Sequence, residues 1–262
     1  TTGSFVVSSP AVVDGKVYVG SYDDKVYCLN ASTGDFIWSY TSGGGVESSP
    51  AVADGKVYIG SNDHRVYCLP QNDPNGDGVI DSSEVIWIYT SGDEVYSSPA
   101  VVDGKVFVGS KDCKVYCLDA STGAHIWNYT TGDQVRSSPA VADGKVYVGS
   151  YDAKVYCLNA STGDFIWSYT TGFYVWSSPA VVDGKVFVGS SDNKVYAFAT
   201  FVWSTDSAGN PKSTFDKSDN VYVRGQDFSA DTNVTIYLIP DGADALSANA
   251  VANASATTNS TG

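Results

Sequence analysis

A repeated segment constrains the fold of this chain more than any other feature of its sequence. The stretch that begins SSPAVVDGKVYVGS at Ser8 returns almost letter for letter at Ser137, and close copies begin at Ser48, Ser97 and Ser177. The prolines of the five SSPA motifs are 40, 49, 40 and 40 residues apart. A period of about forty residues indicates one supersecondary unit that is stacked several times, because a single unit cannot bury its apolar face alone.

Four short strands are expected in each repeat. Apolar residues alternate with a period of two over residues 16–20 and 25–29, and turn-forming residues separate these runs. The Asp14-Gly15 pair is a strong hairpin signal, because the tightest hairpin turns require residues that tolerate positive φ. In the first repeat the expected strands are residues 9–13, 16–21, 25–30 and 36–40.

Units of this size and strand number pack face to face around an axis as the blades of a β-propeller. A tryptophan recurs at one position of the outer strand, where such a ring buries on the order of 200 Å² between neighbouring blades. These residues are Trp38, Trp87, Trp127 and Trp167. The sequence therefore predicts an all-β fold in which residues 1–204 form a closed ring of five four-stranded blades, with the last outer strand over residues 201–205.

The repeat pattern SSPAV-DGKVYVGS-D-KVYCL-ASTG-FIW resembles the PQQ-type propeller repeat. This repeat is found in quinoprotein dehydrogenases and in non-catalytic scaffolds such as bacterial outer-membrane assembly lipoproteins. The resemblance covers residues 1–204. Such dehydrogenases typically have eight blades, a vicinal cysteine pair and a tryptophan that stacks on the cofactor, whereas this chain has five repeats and no two adjacent cysteines. We therefore expect a non-enzymatic propeller without PQQ, and we assign no catalytic residue.

The repeat ends near residue 204, and the rest of the chain has a different character. Residues 205–262 contain two alternating stretches, 220–225 and 233–239, followed by a tail rich in Ala, Asn, Ser and Thr. They resemble the beginning of an immunoglobulin-like module of the kind fused to PQQ-type propellers in archaeal surface proteins. Such a β-sandwich has roughly seven strands. We therefore expect a partial module, completed by further chain or by pairing with another subunit, which would allow self-assembly.

The composition excludes several classes of partner. A net charge of −14 argues against nucleic acid and against anionic lipid, both of which require a basic surface. No run of eighteen apolar residues is present, so no membrane span is expected in this segment. The chain contains no methionine, which indicates that Thr1 is not a translational start and that the chain is a processed or excised piece.

Six asparagines stand in glycosylation sequons, which suit an exported glycoprotein. They are Asn30, Asn128, Asn159, Asn233, Asn253 and Asn259. We expect an extracellular or cell-surface location. Four of the five cysteines occupy one strand position in successive repeats, about 10 Å apart and too far for disulfides, so they are expected as buried free thiols. Cys113 lies in a turn between Lys111 and Lys114 and is expected to be exposed and reactive.

The longer interval between the second and third repeats contains an acidic loop. Its sequence, DPNGDGVIDSSE, matches the EF-hand calcium loop D-x-N-x-D-G-x-I-D-x-x-E at each diagnostic position. Gly78 permits the sharp turn, and Ile80 is expected to anchor the loop in the core. A structural Ca²⁺ would take its oxygen ligands from the side chains of Asp73, Asn75, Asp77, Asp81 and Glu84 and from the carbonyl of Val79.

Near-identical repeats differ most just before each Ser-Ser-Pro motif. A valine is kept there while its neighbours change in charge, size and aromaticity. Binding residues lie preferentially on loops that a rigid scaffold positions, and Tyr, Trp and Arg are enriched at binding hot spots. The predicted recognition residues are Phe5, Glu47, Tyr96, Arg136, Phe173, Tyr174 and Trp176. The turn residues Tyr22, Lys111 and Tyr151 are expected on the opposite face.

Three classes of function fit these observations. The leading interpretation is a non-enzymatic scaffold or adhesion protein of a prokaryotic, archaeal-type cell surface that binds other surface proteins or glycans and is stabilised by Ca²⁺. Within this class, the chain could also be a subunit of a surface filament or lattice. The alternative is a lectin-like module with a defined sugar or peptide ligand. A quinoprotein enzyme is the third class, which cofactor absorbance would reveal.

Overall fold

Every regular element in the described part of the chain is a β-strand. The computed structural model describes residues 1–199, 204–205 and 211–212. Each of the first four repeats forms four antiparallel strands of one sheet, and a short strand from the second repeat adds a fifth, parallel strand to the first sheet. The first strands of successive sheets lie side by side, so they are the inner strands and the fourth strands are the outer ones.

The strand bounds agree with the alternating pattern to within about two residues. Blade 1 contains β1 (Ala11–Val13), β2 (Lys16–Gly20), β3 (Lys25–Asn30) and β4 (Phe36–Thr41). Blade 2 contains β5 (Ala51–Ala53), β6 (Lys56–Ser61), β7 (Arg65–Pro70), the short β8 (Val79–Ile80) and β9 (Trp87–Thr90). Blade 3 contains β10 (Ala100–Val102), β11 (Lys105–Gly109), β12 (Lys114–Asp119) and β13 (His125–Thr130). Blade 4 contains β14 (Ala140–Ala142), β15 (Lys145–Gly149), β16 (Lys154–Asn159) and β17 (Phe165–Thr170).

Blade 5 is described for three strands. They are β18 (Ala180–Val182), β19 (Lys185–Ser190) and β20 (Lys194–Ala199). A separate two-stranded pair follows, formed by β21 (Ser204–Thr205) and β22 (Pro211–Lys212). Residues 201–203 of the predicted outer strand, and nearly all of the predicted immunoglobulin-like module, lie outside the described residues.

The Asp-Gly hairpins have the predicted geometry. In blade 1 the φ angles are 50° at Asp14 and 71° at Gly15, and Val13 pairs with Lys16 across the turn. Positive φ at both central residues defines the type I′ turn, whose twist matches that of the flanking strands. Each later blade repeats this Asp-Gly turn with closely similar angles.

A close contact between a glycine and a valine joins each pair of successive blades. The valine kept before each Ser-Ser-Pro motif is fully buried from blade 2 onward and presses on the glycine near the end of the second strand of the preceding blade. A Cβ atom built on Gly109 would lie 2.4 Å from Cγ1 of Val135 and 2.7 Å from its carbonyl oxygen. Only glycine fits at this position. The pairs are Gly20–Val46, Gly60–Val95, Gly109–Val135 and Gly149–Val175.

The outer-strand tryptophans lie between blades, as predicted. The indole Nε1 of Trp38, Trp87 and Trp127 donates to a carbonyl oxygen in the last turn of the next blade, at 3.3, 3.1 and 3.2 Å respectively. The ring of Trp127 also covers Gly163, where an added Cβ would lie 2.6 Å from it. Trp87 makes the same contact with Gly123, so both tryptophans require a glycine as well as a carbonyl acceptor in the next blade.

Serine hydrogen bonds connect the inner strands from blade to blade. The backbone N–H of one motif serine donates to the hydroxyl of its equivalent in the next blade. The four bonds run from Ser9 to Ser49, Ser49 to Ser98, Ser98 to Ser138 and Ser138 to Ser178, at 2.9, 2.8, 2.9 and 3.0 Å. Each of four hydrophobic clusters likewise spans two successive blades. The predicted buried free thiols, Cys28, Cys68, Cys117 and Cys157, lie within these clusters.

The closed ring predicted from five repeats is not found within residues 1–199. No hydrophobic cluster of these residues joins blade 5 to blade 1, and Val12 and Val182 are exposed at the two ends. The described blades form an open arc. A repeat count cannot predict closure, because the angle between blades depends on how their side chains pack.

We predict that Gly109→Ala lowers the unfolding free energy by about 1–3 kcal/mol, the usual cost of overpacking a tightly packed site. Urea denaturation in dilute solution measures this change. Gly189→Ala is the matched control, because Ser177, at 3.4 Å, is the nearest described residue that the equivalent Cβ would meet. Equal destabilisation by both substitutions would contradict the Gly–Val contact as the cause.

Candidate functional site

The segments before the Ser-Ser-Pro motifs, here called connectors, share one end of the arc with the turns that follow each second strand. Strands alternate in direction within a blade, so the turn after the second strand and the connector after the fourth emerge at the same end. We call this combined surface the connector face. The expectation that Tyr22, Lys111 and Tyr151 lie on the opposite face is therefore wrong.

An aspartate in each of these turns holds the connector of its own blade. In blade 4, Oδ2 of Asp152 accepts hydrogen bonds from the hydroxyl of Tyr156 and from the backbone N–H of Gly132, the latter at 2.8 Å. The same three-residue brace occurs in every blade. The other aspartates are Asp23, Asp63, Asp112 and Asp192.

Main-chain hydrogen bonds fix the connectors further. The N–H of Tyr151 donates to the carbonyl of Gln134 at 2.9 Å, and the N–H of Val175 donates to the carbonyl of Ser150 at 3.1 Å. The connector into blade 5 is thus bonded to blade 4. Because constant residues and backbone groups supply this frame, the neighbouring side chains can vary without moving the chain.

A row of cationic and aromatic side chains crosses the connectors of blades 3, 4 and 5. The guanidinium of Arg136 lies 4.8 Å from the ring centre of Tyr96 and 4.9 Å from that of Tyr151. Its Nε donates to Oε1 of Gln134 at 3.1 Å, which fixes the plane of the group. Both distances are within the range of a cation–π interaction.

The row continues as stacked rings. Tyr151 stacks on Tyr174 with ring centres 4.9 Å apart, and on Trp176 with ring centres 5.1 Å apart and planes 14° apart. Phe173 contacts Tyr174 at 4.2 Å between ring centres. Trp176 and Phe173 remain 54% and 49% exposed, so a large aromatic surface faces solvent.

Carboxylates border this row on the side of blades 1 to 3. Glu94 accepts hydrogen bonds from Lys111 and from the hydroxyl of Tyr96, and these two bonds lower its pKa. Glu47 accepts from Nδ2 of Asn62 at 2.9 Å. The hydrogen bond between Tyr22 and Glu47, followed by burial, raises the pKa of Tyr22 to about 12.

The structure brings together five of the seven predicted recognition residues. Tyr96, Arg136, Phe173, Tyr174 and Trp176 form one continuous surface, with Tyr151 at its centre. Glu47 lies at the border of this surface on the side of blade 1, where its charge acts on Tyr96, and the exposed ring of Phe5 belongs to the connector before blade 1. Sequence reasoning missed Tyr151 and Lys111, although counting the strand directions within one repeat would have placed both on this surface.

The acidic loop of blade 2 is attached to blade 1. Its strand β8 runs parallel to β4, with Tyr40 paired to Ile80, and the buried Ile80 lies in the cluster between the two blades, as its place in the motif predicts. The carboxylate of Asp73 accepts the N–H groups of Asn75 and Gly76 at 3.1 and 2.9 Å, and that of Gly78 at 2.7 Å. The loop backbone therefore curls around this first acidic residue.

Residues 1–199 contain no group of three or more His, Cys, Asp and Glu side chains arranged to hold a metal ion. The chemical donors in the loop are carboxylate, amide and carbonyl oxygens, the kinds that Ca²⁺ takes. Binding would require the acidic side chains to converge further than they do here.

Other predicted residues lie outside the connector face. Asn30 and Asn159 each cap a turn, because their Oδ1 accepts two backbone N–H groups, and Asn128 is exposed on an outer strand. Asn233, Asn253 and Asn259 lie outside the described residues. Cys113 is partly buried, and burial followed by the charges of nearby aspartates raises its pKa, so the reactive thiol expected there is wrong.

Face-to-face four-stranded blades, joined by repeated tryptophan, glycine and serine contacts, define a β-propeller repeat protein. A sequence profile of the family described as outer membrane protein assembly factor BamB matches residues 3–75, 78–154 and 137–261. The chain therefore belongs to this family of PQQ-type repeat proteins. No helix in the described residues is long and apolar enough to cross a membrane.

Solved structures share the fold. BamB from Moraxella catarrhalis is 21% identical with a TM-score of 0.63, and covers 76% of this chain and 60% of its own. The computationally designed Ika8 protein is 17% identical with a TM-score of 0.65, and covers 76% of this chain and 59% of its own. Quinohemoprotein alcohol dehydrogenase ADHIIG from Pseudomonas putida HK5 is 21% identical with a TM-score of 0.61, and covers 76% of this chain and 41% of its own.

The chain thus spans about 60% or less of the length of these solved structures. Comparison with the curated proteins gave no match. At these identities the likeness to solved structures concerns the fold alone.

We predict that the stabilisation contributed by the brace of blade 5 is lost at acid pH. Burial alone would raise the pKa of Asp192, but hydrogen bonds from Tyr196, Gly172 and Ser190 outweigh it and lower the pKa from 3.8 to about 2. Because the folded value lies below the unfolded one, the stabilisation is fully present above about pH 4 and disappears as the pH falls through about 2.

Urea denaturation at successive pH values measures this effect. The difference in unfolding free energy between the wild type and Asp192→Asn should shrink as the pH falls from about 4 to about 2. Tyr196→Phe removes one of the bonds, so its difference from the wild type should be smaller and should shrink over the same pH range. If the plots of unfolding free energy against pH for the wild type and Asp192→Asn stay parallel down to about pH 2, the lowered pKa of Asp192 does not stabilise the fold.

Proposed function

We propose that this chain is a non-enzymatic interaction scaffold whose connector face binds a protein partner. The observation that carries the proposal is the row formed by Tyr96, Arg136, Tyr151, Tyr174 and Trp176. Rigid aromatic and arginine side chains that are already packed against each other lose little entropy on binding, and such residues dominate binding hot spots.

The fixed backbone beneath this row supports the same function. The brace and main-chain bonds hold each connector in place, while Trp176, Phe173 and Tyr174 keep large exposed areas. An exposed apolar patch with a charged border is typical of a protein-binding site. Here Glu94, Lys111 and Arg136 provide that border.

We assign the protein to the outside of the cytoplasm, at a prokaryotic cell surface or envelope. The family description names an outer membrane assembly factor. The acidic composition and the sequons suit an exported protein with surface proteins or glycans as partners. The proposal includes no catalytic step and no bound PQQ.

A lectin-like function is the second candidate. The stacked rings of Tyr151 and Trp176 present an exposed aromatic face, and such a face can stack on the apolar side of a sugar ring. In that case the ligand would be a glycan, and the same residues would carry the binding.

We also propose that the loop of blade 2 binds one structural Ca²⁺. Support comes from the order of its oxygen donors and from the loop backbone, which curls around Asp73. Because β8 is paired with β4, a cation bound in this loop would strengthen the junction between blades 1 and 2.

We predict that Arg136→Ala and Trp176→Ala each weaken partner binding by about 2 kcal/mol or more, as expected for hot-spot residues. Peptides selected from a random phage-displayed library on the wild-type chain, and a glycan array, serve as probes. Peptide binding that both substitutions reduce supports the scaffold, whereas binding confined to the glycan array supports the lectin.

Phe165→Ala is the matched control for this experiment. Phe165 is 40% exposed, close to the 37% of Tyr174, but begins an outer strand at the opposite end of the blade. Its substitution should leave binding unchanged. Equal losses at Phe165 and Trp176 would remove the basis for a specific connector face.

We predict that Ca²⁺ at a hundredfold excess over its Kd raises the unfolding free energy by about 2.7 kcal/mol, because the ion binds the folded state alone. Thermal unfolding with Ca²⁺ or EDTA measures the shift, and the double substitution Asp73→Ala with Glu84→Ala should abolish it. Asp119→Ala, in the corresponding turn of blade 3, should leave it intact. If neither Ca²⁺ nor EDTA shifts the unfolding temperature of the wild-type chain, the loop is acidic but does not bind the ion.

A further inference from the structure

The two ends of the arc carry the two halves of an interface that already occurs inside it. Between blades 3 and 4, one half consists of Phe107, Val115, Cys117 and Trp127, and the other of Val146, Val148, Tyr156 and Leu158. We call the first kind of surface the trailing face of a blade and the second kind its leading face. Every internal junction joins a trailing face to a leading face.

No described blade covers the trailing face of blade 5. Its Phe187 and Val195 are the same residue types as Phe107 and Val115 of blade 3, and Ala197 replaces a cysteine. Val195 is 77% exposed, whereas its equivalent Val115 is fully buried. This end of the arc therefore exposes an apolar surface that is buried at each of the other four blades.

No blade in the described part of the chain covers the leading face of blade 1. Its residues Val17, Val19, Tyr27 and Leu29 are identical in type to Val146, Val148, Tyr156 and Leu158 of blade 4. Val17 and Leu29 are partly exposed, whereas their equivalents in blade 4 are fully buried. Blade 1 could therefore make on a trailing face the same contacts that blade 4 makes on blade 3.

The glycine–valine contact is also present as two separate halves. Val6 corresponds to the buried connector valines but is 45% exposed, and no described blade contacts it in the way that blade 4 contacts Val175. Gly189 corresponds to the glycines that receive those valines, but among the described residues only Ser177 lies near it, at 3.4 Å or more. An exposed valine and a glycine that no described valine contacts thus lie at opposite ends of the described arc.

We propose that blade 5 of one copy docks on blade 1 of a second copy of this chain. In the complex Val6 of the second copy fills the space above Gly189, and the N–H of Ser178 donates to the hydroxyl of the second copy's Ser9. These contacts reproduce the internal junctions residue by residue. Each copy carries one face of each kind, so association is head to tail and yields a ring if it closes and a filament if it does not.

The proposal goes beyond the connector face and uses different residues. It differs from self-assembly through residues 205–262, because only the end faces of the described arc take part. It also differs from closure of the arc on itself, since blades 1 and 5 of one copy share no hydrophobic cluster among the described residues.

Sedimentation velocity on the 262-residue chain tests the proposal. We expect a mass that exceeds the 27.6 kDa of one chain and rises with concentration. Val6→Arg places a charge at the leading face of blade 1 and leaves blade 5 intact. Gly189→Trp fills the glycine site on the trailing face of blade 5 and leaves blade 1 intact. Each substitution should weaken self-association at least about thirtyfold, which corresponds to about 2 kcal/mol.

Mixing the two variants gives the most specific result. The Val6→Arg chain keeps its trailing face and the Gly189→Trp chain keeps its leading face, so together they should form a one-to-one dimer that grows no further. The chain with both substitutions should remain monomeric. Trp176→Ala, on the connector face, should leave association unchanged, which separates this proposal from the proposed function.

Three outcomes would overturn the proposal. The first is a monomer at every concentration, whether the ends stay free or meet within one chain. The second is self-association that neither end substitution weakens. The third is a mixture of the two variants that fails to form the one-to-one dimer although the wild type associates.

Discussion

The contact between a glycine at the end of the second strand and a buried valine of the next connector is the constraint on which the arc depends. At Gly149 an added Cβ would lie 2.3 Å from Cγ1 of Val175, so even alanine forces the blades apart. The valine brings its connector against the preceding blade, and its N–H bonds to that blade at Ser150. The same contact that spaces the blades therefore also positions the backbone of the candidate binding surface.

This arrangement separates the groups that hold the structure from those available for recognition. Asp152, Tyr156 and Gly132 form a brace that recurs in each blade, while Arg136, three residues from the next repeat's proline, is free to differ from its equivalents. Variation at such positions leaves the frame unchanged. Near-identical repeats can thus carry an acidic group at one blade and a stacked tryptophan at another without a change in fold.

Much of the fold follows from local pattern. Alternation, Asp-Gly turns and the forty-residue period predict strands and blades because these signals act within one repeat. The position of Trp127 between two blades was also predictable, because a large ring that recurs at one strand position is buried against the next blade. The position of Tyr151 was missed because side chains were compared without following strand direction. Closure was not predictable, because it depends on angles between blades. Cys113 was misjudged because burial, followed by the charges of Asp133 and Asp112, raises its pKa.

The open arc and the candidate binding surface are linked by the connectors. The connector into each blade contacts the blade before it, so Tyr174 and Trp176 stack on Tyr151 only while blades 4 and 5 stay in register. Docking of a second copy on blade 5 would place that copy's first connector, with the exposed Phe5, in the corresponding position beside blade 5. Head-to-tail association would then extend the aromatic row from one copy to the next, and a partner that binds across several connectors would favour the assembled form because only that form presents the longer surface.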